Sequence, residues 1–361
     1  MATLNPVAVS VIVPARNEEA CLGTCLQSLQ AQTGVTFEII VVDDGSTDRT
    51  REIAESFPGV RVIDAAPLRP GWSGKTNAMQ AGARVAQGEW LLFTDADTVH
   101  LPGSLARAVA EAKQRGAVLL SYSPKQEVHG FWEKAVMPVI FAELAATYRP
   151  SEVSNPASPA AAANGQYLLI SREAYDGVGG HAGVASSLLE DVALARAVKA
   201  SGRKIFFRFG SDAVRTRMYR SFADLKEGWT KNLALLFPSA LRLALLRFLE
   251  FVLIVGSAAL AIRRAVHGEG KTALIVGGIA AILIVLFLKR VRRAHFSWGA
   301  NALALIGLPL FSYLLLRSSI FHKEGKIPWK GRRYKGTIND AQVQSTSPPA
   351  GRREGTTSWS T

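Results

Sequence analysis

Residues 90–97 read Trp-Leu-Leu-Phe-Thr-Asp-Ala-Asp. The first five form an apolar run with the length of a strand that is buried on both faces. Asp95 and Asp97 follow at once, and because they stand two residues apart at a strand end, their side chains point the same way. Two such carboxylates repel each other, and a hard cation, Mg²⁺ or Mn²⁺, removes that conflict and usually accompanies a substrate diphosphate. The triplet alone is also common in acidic turns, so its neighbours decide its meaning.

Other apolar runs predict further buried strands, and two segments between them have the spacing of helices. The strands are Val9–Pro14, Phe37–Val42, Val60–Ile63 and Val118–Tyr122, and the helices are Glu18–Gln30 and Lys75–Ala86. This alternation predicts an α/β fold with an open, doubly wound, mostly parallel sheet. Such sheets bind ligands outside the carboxyl ends of their strands. The polar clusters Ala15–Glu19, Asp43–Asp48 and Asp95–Asp97 all fall at such ends, which predicts one site at this edge.

The charge of the chain is unevenly distributed. The 361 residues carry a net charge of +13, 48% of them are hydrophobic, and the mean hydropathy is +0.14. From Lys231 to Lys335 there are 17 Lys and Arg against 3 Asp and Glu, a net charge of +14, so the remainder sums to −1. The basic residues flank long apolar runs, which favours anionic lipid headgroups as their partners. We expect no nucleic-acid partner.

Three apolar runs approach the roughly 20 residues that a membrane helix needs. They are Leu243–Ile262, Thr272–Leu288 and Gly299–Leu316. We predict a membrane region of about three apolar helices over residues 237–320; the alternative is a set of buried helices in a large soluble core. Three crossings would place the basic segment Arg317–Lys335 on the outside, against the positive-inside tendency. If one segment is re-entrant or interfacial, the number of spans is instead two or four.

The ends of the chain complete the predicted organisation. Met1–Val7 lacks the features of a signal peptide, so we expect residues 1–236 to form a cytoplasmic domain of a multi-pass protein of the cell membrane. Residues 321–361 are predicted to be a basic juxtamembrane segment and a disordered tail, which begins near Thr337. The segment Phe131–Tyr148 is either an amphipathic helix on the membrane surface or an ordinary core helix.

Four motifs occur in a characteristic order along the chain. They are Val11–Glu19 (VIVPARNEE), Val41–Asp48 (VVDDGSTD), Asp95–Asp97 (DAD) and Glu190-Asp191 (ED). Together they resemble family 2 glycosyltransferases of the GT-A fold, from about Val9 to Leu236. With Gly71–Lys75 (GWSGK) and the apolar C-terminal runs, the chain is similar to two membrane-anchored branches, the carotenoid-acid (4,4'-diaponeurosporenoate) and the hopanoid-associated glycosyltransferases.

The resemblance implies an activity and a partner. It implies a GT-A domain followed by C-terminal transmembrane helices, acting as a metal-dependent, inverting hexosyltransferase. A nucleotide-sugar, expected to be a UDP-sugar, would supply the sugar, and a membrane lipid such as a carotenoid or hopanoid would accept it. Mg²⁺ or Mn²⁺ would be the cofactor.

The resemblance also implies roles for individual residues. Asp191 would act as general base toward the acceptor, and Glu190 would orient it. Asp97 would bind the metal, with Asp95 shared between the metal and the ribose, and Asp44 would accept the imide N–H of uracil. The residues expected to contact the nucleotide-sugar are Pro14, Ala15, Arg16, Glu18, Asp44, Lys75 and Asp95.

Each of these residue types also has a simple structural explanation. Asp44 could cap the helix that begins near Asp48. Lys75 could be a solvated surface residue, although a cation at a helix N-terminus also suits a diphosphate. Glu190 and Asp191 stand at a predicted helix start, where acidic residues are common whatever the function.

Three other functions remain open at this point. A polyprenyl-phosphate sugar transferase would differ in its acceptor and not in its fold. A glycan-extending synthase is disfavoured because the Gln-x-x-Arg-Trp motif of polymerising relatives is absent: Arg217-Met218-Tyr219-Arg220 is followed by Ser221. An inactive membrane scaffold would have no reason to retain Asp44 and the other acidic residues together.

Overall fold

The computed structural model describes residues 7–329 and 331–334, so the predicted disordered tail from Thr337 lies outside the described residues. The strands are β1 Val9–Ala15, β2 Phe37–Asp43, β3 Val60–Asp64, β4 Trp90–Phe93, β5 Thr98–His100, β6 Leu119–Ser123, β7 Lys125–Gln126, β8 Leu168–Ser171, β9 Ile205–Phe209, β10 Val214–Thr216, β11 Ile327–Trp329 and β12 Arg332–Tyr334. The helices are α1 Leu22–Gln30, α2 Thr50–Glu55, α3 Gly74–Val85, α4 Ser104–Arg115, α5 Phe131–Thr147, α6 Pro150–Ser154, α7 Arg172–Gly177, α8 Glu190–Ala200, α9 Phe222–Leu236, α10 Ala240–Val266, α11 Gly270–Val291 and α12 Trp298–Lys323.

Seven strands form the central sheet, in the order β3-β2-β1-β4-β8-β6-β9. The strand β8 is antiparallel to β4 and β6, and the other described neighbours in this sheet run parallel. The mostly parallel, doubly wound sheet expected from the sequence is therefore confirmed. Its five predicted strands appear as β1, β2, β3, β4 and β6, whereas β8 and β9 were not predicted.

The strand β1 shows why an unbroken apolar run forms the centre of this sheet. Val11 and Val13 belong to one hydrophobic core with α1 and α4, and Ile12 belongs to a second core with α3 and α8. Both faces of the strand are therefore covered by helices, as a parallel sheet requires. The register pairs Ala15 of β1 with Asp43 of β2, which brings the loops after these two strands side by side.

The helices α5, α9 and α12 enclose a third hydrophobic core. Val136 and Ile140 of α5 are fully buried there, and Phe131 and Trp132 at the start of α5 remain 49% and 44% exposed. For most of its length α5 is thus a core helix, one of the two alternatives for this segment. Gly307 of α12 lies directly against the backbone of α5, where a methyl group would overlap a carbonyl oxygen.

Three helices, α10, α11 and α12, are long and apolar enough to cross a membrane. They differ in how much of their apolar stretch is buried in the structure: 6% in α10, 11% in α11 and 50% in α12. The helices α10 and α11 pack against each other and leave large apolar side chains exposed. The helix α12 packs against α10 and also against α5 and α9 of the domain that carries the sheet.

Both ends of α12 contact that domain. Before its start, the ring of His295 lies 5.7 Å from that of Phe209 at the end of β9. Near its end, His322 Nε2 lies 2.8 Å from the carbonyl oxygen of Lys231 in α9, and Ser318 donates to the carbonyl oxygen of Thr230 at 2.7 Å. A helix of 26 residues is about 39 Å long. The domain is therefore in contact with the chain at both ends of α12.

Candidate active site

A pocket of about 480 Å³ lies at the carboxyl ends of β1, β2 and β4, a volume typical of small-ligand sites. Eight of the predicted residues line it: Pro14, Ala15, Arg16, Glu18, Asp44, Lys75, Asp95 and Asp97. The other two predicted residues, Glu190 and Asp191, stand at the start of α8 beside Lys75 and outside the lining of this pocket. The structure thus brings the predicted residues together in two adjoining groups.

The loops after β1 and β2 are fixed to each other by side-chain hydrogen bonds. The Oδ1 atom of Asn17 accepts from the backbone N–H of Thr47 at 2.8 Å, and the backbone N–H of Glu18 donates to Thr50 Oγ1 at 2.7 Å. Asn17 has a φ of +54°, a left-handed conformation that Asn tolerates better than most residues. The backbone of this part of the pocket wall is therefore held in place before any ligand arrives.

Lys75 joins the two groups of the site. Its Nζ lies 2.7 Å from Asp95 Oδ1 and 3.1 Å from Glu190 Oε1. Burial acts to lower the pKa of Lys75, but Asp95, Glu190 and Asp191 outweigh it and raise that pKa well above its usual range. Lys75 is therefore a fixed positive charge between the pocket and α8, and the interpretation as a solvated surface residue is wrong.

The two acids at the start of α8 differ in their titration. Asp191 accepts hydrogen bonds from the backbone N–H groups of Gly165 and Val192, at 2.7 and 2.8 Å. Burial and the neighbouring Glu190 raise the pKa of Asp191 to about 6, against the opposing effect of Lys75. Burial also acts to raise the pKa of Glu190, but Lys75 holds it well below its usual range. A constant anion beside a carboxylate that titrates near neutral pH is an arrangement suited to acid–base chemistry.

Asp44 follows β2 and is held by two arginines. Arg332 binds its carboxylate with both terminal nitrogens, at 2.6 and 3.2 Å. Arg16 Nη1 donates to the backbone carbonyl of Asp44 at 2.7 Å. At the start of α2, the backbone N–H of Thr50 donates to Asp48 Oδ1 at 3.0 Å, so Asp48 and not Asp44 accepts a hydrogen bond there. The alternative of Asp44 as a helix cap is therefore wrong.

Asp97 lines the pocket two residues beyond Asp95. Thr216 Oγ1 donates to its backbone oxygen at 3.2 Å, which fixes the chain at this point. Within residues 7–329 and 331–334, no group of three or more His, Cys, Asp or Glu side chains is placed to hold a metal ion. A Mg²⁺ or Mn²⁺ ion that binds with substrate phosphates needs only one or two carboxylates, because water and phosphate oxygens complete its shell. Asp95 and Asp97 are two such carboxylates, and both line the pocket.

Several residues of the pocket lining were not among those predicted from the sequence, and four of them come from the C-terminal part of the described chain: Lys231, Asn232, Trp329 and Arg332. The first two belong to α9, and the last two to the hairpin β11–β12 that follows α12. Lys231 Nζ lies 5.0 Å from the centre of the Trp329 ring. The only local signal was a basic and aromatic segment at residues 326–334, and it gave no indication that this segment would return to the pocket.

Comparison with known families shows which class of protein the chain resembles. Residues 10–179 match Glycosyl transferase family 2, and they include β1, β2, β4 and every residue expected at the donor and the metal. This part of the chain therefore matches a family 2 glycosyltransferase domain, and the resemblance deduced from the sequence is confirmed.

Two individual proteins are similar to this chain, one in sequence and one in fold. The chain is 31% identical over 239 residues to the 4,4'-diaponeurosporenoate glycosyltransferase of Staphylococcus aureus (strain USA300), an alignment that covers 64% of this chain and 62% of the relative. The chain thus spans less than two thirds of the length of that relative. A mannosyltransferase from Pyrobaculum calidifontis, solved in complex with GDP-Man and Mn²⁺, is similar in structure, with a TM-score of 0.52, 19% identity, and coverage of 88% of this chain and 87% of that one. This likeness confirms the GT-A fold.

Proposed function

We propose that the protein is an inverting, metal-dependent glycosyltransferase that moves a sugar from a nucleotide donor, a UDP-sugar, to a lipid acceptor at the membrane. The observation that carries this proposal is the position of Lys75, which joins the Asp44–Asp97 pocket to the carboxylates of α8. The family of the domain and the name of the S. aureus relative, which refers to a carotenoid acid, support the reaction and the class of acceptor.

The donor would lie along the carboxyl edge of the sheet. The loop Pro14–Glu18 would flank the nucleoside, and Asp44 would accept the N–H of the base. The α3 N-terminus, with Lys75 in its first turn, would face the diphosphate, because a helix N-terminus and a cation both favour negative charge. Asp97, with Asp95 beside it, would hold Mg²⁺ or Mn²⁺, which when bound would offset the charge of the departing nucleoside diphosphate.

Asp191 would serve the acceptor. An acceptor hydroxyl would give its proton to the Asp191 carboxylate as its oxygen bonds to the anomeric carbon, while the bond from that carbon to the diphosphate breaks. Attack from the face opposite the diphosphate inverts the anomeric centre. Glu190, which stays ionised, would hold Lys75 and orient its neighbour. An acceptor that is a carboxylic acid is already ionised, and Asp191 would then position it.

The membrane would be reached through the hairpin α10–α11. At its base, Glu143 of α5 lies 3.1 Å from Arg247 and 3.4 Å from Arg290, and Glu250 lies 2.8 Å from Arg290. At its tip stand further basic residues, Arg263, Arg264 and Lys271. The apolar stretch Thr272–Leu288 between base and tip is about 26 Å long as a helix. Long basic side chains at both ends of this stretch extend the thickness that it can span to the roughly 30 Å of a bilayer core.

We therefore favour two crossings, by α10 and α11, with the catalytic domain on the cytoplasmic side. The helix α12 contacts the domain at both ends, so the chain after α12 returns to the side on which the domain lies. This topology also keeps the basic segment after Arg317 on the cytoplasmic side, in agreement with the positive-inside tendency.

Cysteine labelling tests this topology. The native Cys21 and Cys25 are buried, so the label should react with introduced cysteines. Three single variants each place one cysteine: Lys113→Cys in the domain, His267→Cys at the hairpin tip and Glu324→Cys after α12. A membrane-impermeant maleimide should label Lys113→Cys and Glu324→Cys from the same side of the membrane, and His267→Cys from the other. Labelling of Glu324→Cys together with His267→Cys would show three crossings.

Nucleotide binding tests the donor pocket. Asp44→Asn should weaken UDP binding by about tenfold, because a hydrogen bond to a charged acceptor is roughly twice as strong as a neutral one. Asp64→Asn is the matched control, since Asp64 ends the neighbouring strand β3 outside the pocket and is 75% exposed. Equal UDP affinity in wild type and Asp44→Asn, measured by calorimetry, would contradict the assignment of this pocket to the base.

A further inference from the structure

The hairpin β11–β12 forms part of the pocket wall although it follows the last apolar helix. Its two strands pair antiparallel, and Ile327 at its start is fully buried. The strand β11 packs against α9, and Trp329 lies over Lys231. These contacts place Arg332, at the start of β12, in the pocket.

The guanidinium of Arg332 lies between two parts of the expected donor site. One is the carboxylate of Asp44, which it binds with both terminal nitrogens. The other is Gly74 at the start of α3, where even a methyl side chain would overlap the guanidinium. The position of Arg332 is thus between the expected base contact and the helix N-terminus that would face the diphosphate.

We propose that Arg332 is a donor-binding residue whose guanidinium contacts the diphosphate of the nucleotide-sugar. This inference rests on the proposed function of the pocket. A planar guanidinium matches the paired oxygens of a phosphate, and a diphosphate at the start of α3 would lie beside the present position of this group. A base bound to Asp44 competes with Arg332 for the carboxylate, and the incoming diphosphate supplies the guanidinium with a new anionic partner a short distance away.

The consequence is that the two ends of the described chain build one site. The N-terminal strands supply the base contact and the metal ligand, and the segment after α12 supplies a phosphate contact. The hairpin would then hold the donor in place and not merely cover an empty pocket.

Comparison of two ligands tests the proposal on the full-length protein in detergent. Uridine contains the base and ribose, and UDP adds the diphosphate. Arg332→Gln should lower the affinity for UDP by about 10–100-fold, the usual effect of losing hydrogen bonds to a charged group. Its affinity for uridine should stay the same or rise, because Asp44 loses a competitor. Arg332→Lys keeps the charge without the planar fork and should lower UDP affinity by less than Arg332→Gln.

Arg61→Gln, which changes a charge on β3 outside the pocket, is the matched control and should leave both affinities unchanged. Unchanged UDP affinity in Arg332→Gln would overturn the proposal, and a higher affinity would overturn it and show that Arg332 obstructs the donor. An equal loss for uridine and UDP would overturn it as well, since the diphosphate would not be the partner. A wild-type protein that binds neither UDP nor any other nucleoside diphosphate would instead refute the proposed function, and this inference with it.

Discussion

Lys75 Nζ lies 3.1 Å from Glu190 Oε1, so a cation at the start of α3 neutralises a buried acid at the start of α8. Glu190 is only 5% exposed, and a buried carboxylate without a partner is costly. The contact links the candidate pocket to the stability of the domain, because Lys75 lines the pocket and also pairs with Glu190.

Lys75→Ala should therefore destabilise the protein by about 3 kcal/mol, as expected when one partner of a buried ion pair is removed. Glu190→Gln in the Lys75→Ala background should restore part of that loss, since it removes the unpaired charge. Thermal or denaturant unfolding of the two variants measures the difference. Identical unfolding of the single and the double variant would show that the pair contributes nothing to the fold.

The pH dependence of turnover should follow Asp191. Because its pKa is raised to about 6 and the base must be ionised, kcat/KM for a hydroxyl acceptor should fall about tenfold per pH unit below that value. Asp191→Asn should be slower by about 10²–10⁴-fold and should lose this acidic limb, with UDP affinity retained. A parallel loss of UDP affinity would place Asp191 in the nucleotide pocket.

Removal of the proposed metal ligand should leave a folded but inactive protein. Asp97→Asn should lower metal-stimulated turnover by about 10²–10³-fold, which corresponds to the several kcal/mol that a Lewis-acid metal supplies. Asp224→Asn is the control, because Asp224 lines the same pocket without an expected metal role. Titration of turnover with Mn²⁺ distinguishes the two, and near-normal turnover of Asp97→Asn would refute the role.

The packing of α12 on α5 can be tested with a pair of glycines. Gly307→Ala should destabilise the full-length protein by about 1–3 kcal/mol, because the added methyl overlaps the backbone of α5. Gly278→Ala in α11, where open space surrounds the new methyl, gains the same helix propensity without a clash. Equal thermal unfolding of the two variants would contradict the close packing of α12.

The sheet and its polar edge could be predicted from sequence because both depend on local patterns. Apolar runs such as Val9–Pro14 end where the polar loops begin, and parallel strands bring those loops to one edge. The first group of site residues, from Pro14 to Asp97, followed from this rule together with the family resemblance.

The packing of α12 against the domain could not be predicted in the same way. An apolar helix has the same composition whether it packs against lipid or against protein, so hydropathy places α12 with α10 and α11. Its small residues Ala300, Ala304 and Gly307, all buried, were the only hint of close packing. The contact between Asp44 and Arg332 joins residues 288 positions apart, and it depends on where α12 ends. No local pattern contains that information.

The most direct test of the proposed function is an assay of sugar transfer. Full-length protein in membranes is incubated with labelled UDP-, GDP- and dTDP-sugars, a divalent cation and a lipid extract, and the label in the organic phase is measured with the nucleoside diphosphate released. We predict that label from a UDP-sugar enters the lipid fraction in equal amount to the UDP released, and that Asp191→Asn loses both. Absence of lipid-linked label and of released diphosphate with every donor, from wild-type protein that is folded, would contradict the account.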